Sequence, residues 1–173
     1  QLLIGSLVVI LIGGIVEMVP TFLVKSNVPT ISSVQPYTPL ELHGRDVYIS
    51  EGCNNCHTQM IRPFRHETER YGEYSKSGEF VYDHPHLWGS KRTGPDLHRV
   101  GGKYSDAWHY NHMIEPERMS PGSIMPTYAW LAHYQVDTSM TARKINAMRK
   151  LGVPYPEGYE HEANHDVRDQ QAG

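Results

Sequence analysis

Apolar residues are unevenly distributed along this chain. They crowd ahead of Lys25, and beyond it they recur only in short stretches at helical spacing. Leu2 to Val16 holds nothing but apolar residues, glycine and one serine, and after Glu17 the apolar run resumes through Val24. At about 1.5 Å per residue this stretch makes a helix of about 34 Å, enough to cross a hydrocarbon core of about 30 Å. A cleaved signal peptide would have a shorter core ending in small residues of A-x-A type, and neither feature is present. Residues 1–25 are therefore expected to form a retained single-span anchor. An ionisable Glu17 costs roughly 2–3 kcal/mol where it faces lipid at depth. It is expected to face a partner subunit, to bind a cation or proton there, or to reach back to the headgroups.

Beyond the anchor the pattern turns polar. Residues 26–38 are rich in Ser, Thr and Pro without periodicity and read as an extended linker. A helix then starts sharply, with Thr38 as N-cap, Pro39 at the first helical position and Glu41 completing a capping box. It should run to about Ser50 with Leu40, Gly44, Val47 and Tyr48 on one face, where Gly44 would permit a close helix crossing. From Gln59 to Arg92 the chain is charged and aromatic, with Trp88 near its end. A connection this long implies a function or structure of its own. Lys76-Ser77-Gly78 before Glu79-Phe80-Val81-Tyr82 suggests a short hairpin. The insertion reads as an interface element, or else as a solvated charged face.

Ser105 can cap a helix from Asp106 to about Ile114, stopped by Pro116. A Pro/Gly loop follows through Pro126, then a short helix over Thr127 to Ala132. The last helix is expected from about Ser139 to Leu151, burying Ala142, Ile145, Met148 and Leu151, with Gly152 and Pro154 as stop signals. Residues 156–173 are polar and mostly acidic and read as a mobile tail. The expectation is an all-α domain over 39–155 carrying an extended loop or hairpin insertion, tethered by one N-terminal transmembrane helix.

At 173 residues and a net charge of −3 the chain has no basic stripe to neutralise a phosphate backbone, which excludes nucleic acid as a partner. Its chemistry is concentrated in Cys53-Asn54-Asn55-Cys56-His57, a C-x-x-C-H motif that uses the only two cysteines. Two thiols at this spacing can add across the two vinyl groups of one porphyrin. The following imidazole then reaches the iron as proximal axial ligand. The competing readings are weaker. A disulfide here would close a tiny, strained loop. A redox dithiol would want a βαβ context that the pattern lacks. A zinc site would have to recruit His161 and His165 from the tail, far outside finger spacing.

One covalently bound haem c, held through Cys53 and Cys56 with His57 on the iron, is therefore expected, and it needs a sixth ligand. Met18 is in the anchor, Met60 is too close to His57 to reach the opposite face, and Met140 and Met148 belong to the last helix as core filler. Met113 and Met119 remain, but Met125 is favoured because its Pro/Gly loop can arch over the ring and Pro126 stiffens it. His98, His109 and His112 are weaker alternatives. Arg62 and Arg65, close to His57, are candidates to pair with haem propionates.

In order, the C-x-x-C-H motif, Thr93-Gly94-Pro95-Asp96-Leu97 and Ser123-Ile124-Met125-Pro126 resemble the class I cytochrome c fold. That resemblance adds weight to Met125 and implies that Pro95 lends its carbonyl to the Nδ1–H of His57. Met148 departs from the pattern, standing where an aromatic often packs against the first helix. More specifically, four stretches resemble the mono-haem subunit family of cbb3-type cytochrome c oxidases (CcoO, or FixO). They are Gly44-Arg45-Asp46-Val47-Tyr48, Arg62-Pro63-Phe64-Arg65, Leu87-Trp88-Gly89-Ser90-Lys91-Arg92, and Val100 to His109.

The family implies an electron-transfer subunit of a proton-pumping haem-copper oxidase, in which the chain itself only carries electrons. It would accept them from a di-haem cytochrome c subunit or a soluble cytochrome c. It would pass them to haem b of a membrane-embedded, copper-containing catalytic subunit that reduces dioxygen to water. Since haem c is attached outside the cytoplasm, a single pass of the bacterial inner membrane with a periplasmic haem domain is implied. The alternatives are the cytochrome c subunit of nitric oxide reductase, a free-standing membrane-anchored shuttle, and a haem-based gas sensor.

Overall fold

The computed structural model describes residues 1–24, 28–87, 89 and 91–172, and every regular element among them is helical. The chain divides into two units, residues 1–35 with 76–81, and residues 36–75 with 82–173.

In the first unit, α1 spans Leu2–Leu23, buries none of its described side chains and is long and apolar enough to cross a membrane. An apolar surface of that extent calls for lipid or an apolar partner around it. Val24 N–H donates to Pro20 O at 2.9 Å and closes the helix. Lys25, Trp88 and Ser90 lie outside the described residues. The hairpin expected after Lys76 is not formed. Ser77–Phe80 is a turn of 3₁₀ helix, because Lys76 N–H donates to Glu79 Oε2 at 2.7 Å and sets a helical start. Gly78 must be glycine there. A Cβ would lie 2.9 Å from Ile31 Cγ1 and closer still to the Pro29 carbonyl, so the insertion packs on the linker.

The second unit holds α2 (Pro39–Ser50), α3 (Arg65–Tyr71), α4 (Asp106–Ile114), α5 (Pro116–Met119), α6 (Thr141–Lys150) and α7 (Tyr159–Ala172). The capping box of α2 forms as its sequence predicts: Glu41 N–H donates to Thr38 Oγ1 at 3.3 Å and Thr38 N–H to Glu41 Oε2 at 2.8 Å. Ser105 Oγ caps α4 by accepting from Trp108 N–H at 3.2 Å. The short helix expected at 127–132 is a 3₁₀ turn at Ala129–His133.

Leu42, Ile145, Met148, Val153, Tyr155 and Ala163 form the apolar core. Its faces differ from the expected ones. α2 buries Leu42 and His43, the side on which α6 and α7 pack, while Gly44 is exposed with open space beside it and mediates no crossing. On α6 the buried stripe is Thr141, Ile145 and Met148. Leu151 is exposed and Val153 is buried in its stead, because Gly152 takes φ 95° and turns the chain back. His43 joins this core through hydrogen bonds. Its Nδ1 accepts from Lys144 Nζ at 3.0 Å, so its Nε2–H donates to Thr141 Oγ1 at 2.8 Å. Burial, then the Lys144 charge, lowers its pKa.

Residues 156–173, expected as a mobile tail, are a correction. Tyr159–Ala172 is a helix with Ala163 and Val167 fully buried. Arg149 fastens it, with Nη2 donating to Glu160 Oε2 and Pro156 O, both at 2.6 Å. Tyr155 Oη donates to Tyr37 O at 2.6 Å and ties the same corner to the start of α2.

Candidate haem-attachment site

Gly52, at φ 70°, turns the chain out of α2 into a single 3₁₀ turn, Cys53–Asn55. Cys56 N–H and His57 N–H both donate to Cys53 O, at 3.1 and 2.9 Å. In a 3₁₀ turn the side chains at i and i+3 eclipse, so Cys53 and Cys56 share one side. Both thiols are free. Burial pushes the Cys53 thiol up. A redox dithiol needs a depressed thiolate pKa, so the dithiol reading loses ground.

The imidazole is aimed by the strap that follows Arg92. His57 Nδ1–H donates to Pro95 O at 2.8 Å, which leaves the Nε2 lone pair free for a metal. The ring lies against Gly94. A Cβ there would fall 2.7 Å from His57 Nδ1, 2.9 Å from Nε2 and closer still to Cε1, so only glycine admits the ring in this pose. These features fit a c-type haem: two free thiols on one side of a turn, then an oriented imidazole with a free nitrogen. Cys53, Cys56 and His57 would hold it.

The strap is itself clipped to the motif. Gly94 N–H donates to Cys56 O and Leu97 N–H to Thr58 O, both at 2.9 Å. Asp96 accepts from Thr58 Oγ1 at 2.5 Å, Met60 N–H at 2.8 Å and His98 N–H at 2.9 Å. Arg92 Nε donates to Thr58 Oγ1 and Arg92 Nη2 to Met60 O, both at 2.7 Å.

Behind it sits Glu67 of α3, whose side chain is 1 % exposed. It accepts from Arg62 N–H and Arg92 Nη2, both at 2.8 Å, and pairs with Arg62 Nε and Nη2. Burial alone would raise its pKa, but the bonds from Arg92 and Arg62 outweigh that and hold it at about 2. Sequence reasoning missed α3 and Glu67. Pro63 ahead of an acidic first turn was the available signal.

Of the two arginines expected to meet haem carboxylates, Arg62 is engaged with Glu67 and Arg65 with Glu69 at 2.7 Å. Met60, bonded through its backbone to Asp96 and Arg92, stays with the His57 strap. Among the histidines weighed as sixth ligands, His98 Nδ1 sits 2.5 Å from Ser75 Oγ. His112 stacks on Trp108 at 4.7 Å with its Nδ1 buried and unpartnered. Burial, then His57, lowers the His112 pKa.

Met125 is half-buried, its N–H donating to Ser123 Oγ at 3.2 Å. Just beyond it, Tyr128 N–H donates to Met113 O at 2.8 Å, anchoring the loop to α4. Burial, then the charges of Cys53 and Cys56, pushes the Tyr128 phenol up.

A helical domain with this turn, in a chain that also carries a membrane-length helix, has the features of a membrane-tethered, single-haem c-type cytochrome. The family model described as cytochrome c oxidase, mono-heme subunit/FixO matches residues 1–173, and the chain belongs to that family. It is thus a mono-haem cytochrome c subunit of a cbb3-type terminal oxidase, acting in electron transfer, and the nitric oxide reductase alternative is set aside. No curated protein matches the chain significantly.

Proposed function

We propose that this chain takes single electrons from a di-haem cytochrome c subunit or a soluble cytochrome c. It delivers them to haem b of the membrane-embedded, copper-containing catalytic subunit, which reduces dioxygen to water and pumps protons. The chain crosses the bacterial inner membrane once through α1 and holds its haem domain in the periplasm. Cys53 and Cys56 would carry one haem c, and His57 Nε2 and Met125 Sδ would hold its iron. When bound, the haem supplies one-electron exchange between ferrous and ferric iron, and a Met/His pair favours a higher potential than two histidines.

The polypeptide does the positioning. Pro95 O fixes the His57 tautomer and raises its basicity, Gly94 makes room for the ring, and the Asp96–Thr58–Arg92 bonds keep the strap in register with the motif. The anchor raises the effective concentration of donor and acceptor. The observation that carries this reading is the His57–Pro95 bond beside two free thiols. The test of the ligand set is Met125→Ala, which should abolish the low-spin spectrum with haem still covalently attached; an unchanged spectrum would move the ligand elsewhere. The test of the partner is purification in mild detergent. Co-purification of a subunit with haem b and copper is expected, and recovery of the chain as a lone monomer would contradict it.

A further inference from the structure

Arg62, His66, Glu67, Arg70, Tyr71 and Arg92, together with the strap residues 93–95, line a cavity of about 370 Å³. Three guanidiniums share it with one carboxylate, in a chain whose net charge is −3. That carboxylate is saturated. An ionised carboxylate accepts about four hydrogen bonds, and Glu67 is met by Arg62 N–H, Arg62 Nε, Arg62 Nη2 and Arg92 Nη2. Asp96 meets Arg92 at 3.5 Å but does not line the cavity. Arg70 and Arg92 lie over the same Tyr71 ring, at 5.1 and 5.0 Å, and Arg70 makes no ion pair among the described residues. Two like charges held on one ring, with the nearby carboxylate filled, leave guanidinium donors whose best acceptor is an anion from outside.

We propose that this cavity is an oxyanion site, binding a carboxylate or phosphate group through Arg70 and the remaining donors of Arg62 and Arg92. Planar guanidinium forks match both groups bidentately. The oxyanion comes either from an acidic side chain of a docked protein subunit or from free phosphate. The site requires no electron transfer, so its failure would leave the relay reading untouched.

The test is calorimetric titration of inorganic phosphate into the haem-loaded full chain in detergent, without competing anions. One saturable site is expected. Arg70→Gln should weaken it by about tenfold or more, the loss of a charge-assisted bond, with the haem spectrum unchanged. Arg70→Lys, which keeps the charge, should bind better than Arg70→Gln. If the natural oxyanion is a partner's carboxylate, saturating phosphate and Arg70→Gln will both weaken association with the catalytic subunit. If it is a free anion, association will be unaffected. Absence of a saturable phosphate site, or equal binding by Arg70→Gln, overturns the proposal.

Discussion

Around Ile145 the soluble unit is held by apolar contact: Leu42, Met148, Val153 and Ala163 surround a side chain with no exposed surface. Around Glu67 it is held by charge, with Arg62 and Arg92 joined in one network to the buried Glu67, Thr58 and Asp96. The two regions differ in how they fail. Apolar contacts are many and individually small, so trimming one leaves the rest working. A buried ion-pair network is lost as a unit, because removing one member strands the charges of the others. The orienting carbonyl of Pro95 and the ring bed at Gly94 belong to the charged region, where geometry must be fixed in direction as well as distance.

The largest effect should come from Glu67→Ala, which leaves two guanidiniums without their carboxylate and should cost about 3–5 kcal/mol in denaturant unfolding. Next, Gly94→Ala places a methyl group against the His57 ring. It should cost about 1–3 kcal/mol through overpacking and also alter the haem spectrum. Ile145→Val, in the apolar region, should cost only about 0.5–1.5 kcal/mol and leave the spectrum unchanged. A spectral change in Ile145→Val, or none in Gly94→Ala, would erase the distinction between the regions.

Acid separates them too. The folded chain keeps Glu67 ionised down to about pH 2, whereas an unfolded glutamate takes up its proton near 4.5. The unfolded state therefore binds more protons in that window, so the Glu67 contribution is present above it and disappears as pH falls through it. The difference in stability between the wild type and Glu67→Gln should shrink on acidification from pH 5. His43 gives the apolar region a smaller dependence at higher pH. Its lowered pKa means that stability falls as pH drops below 6.5, a slope that His43→Asn should remove.

What could be read in advance was whatever depends on neighbours in sequence. The caps at Thr38 and Ser105 set the starts of α2 and α4, because capping involves only the first turn. Which face each helix buries depends on partners distant in the chain, so Gly44 and Leu151 were misplaced. α7 escaped notice because Ala163 and Val167 form a thin apolar stripe in an acidic segment, and its burial depends on α6 and Arg149. At the site, the C-x-x-C-H motif and the Pro95 contact were visible as pattern and resemblance. Glu67 was not, because a buried glutamate is recognisable only once both arginines surround it.

The account rests on one haem joined to the chain through Cys53 and Cys56, with His57 on its iron. Intact mass of the protein unfolded in denaturant, read together with an in-gel haem stain, addresses this directly. The expected result is a chain heavier by one haem, stained after denaturation, with both properties lost when Cys53 and Cys56 are replaced by alanine. A wild-type chain of bare polypeptide mass, without stain, would contradict it.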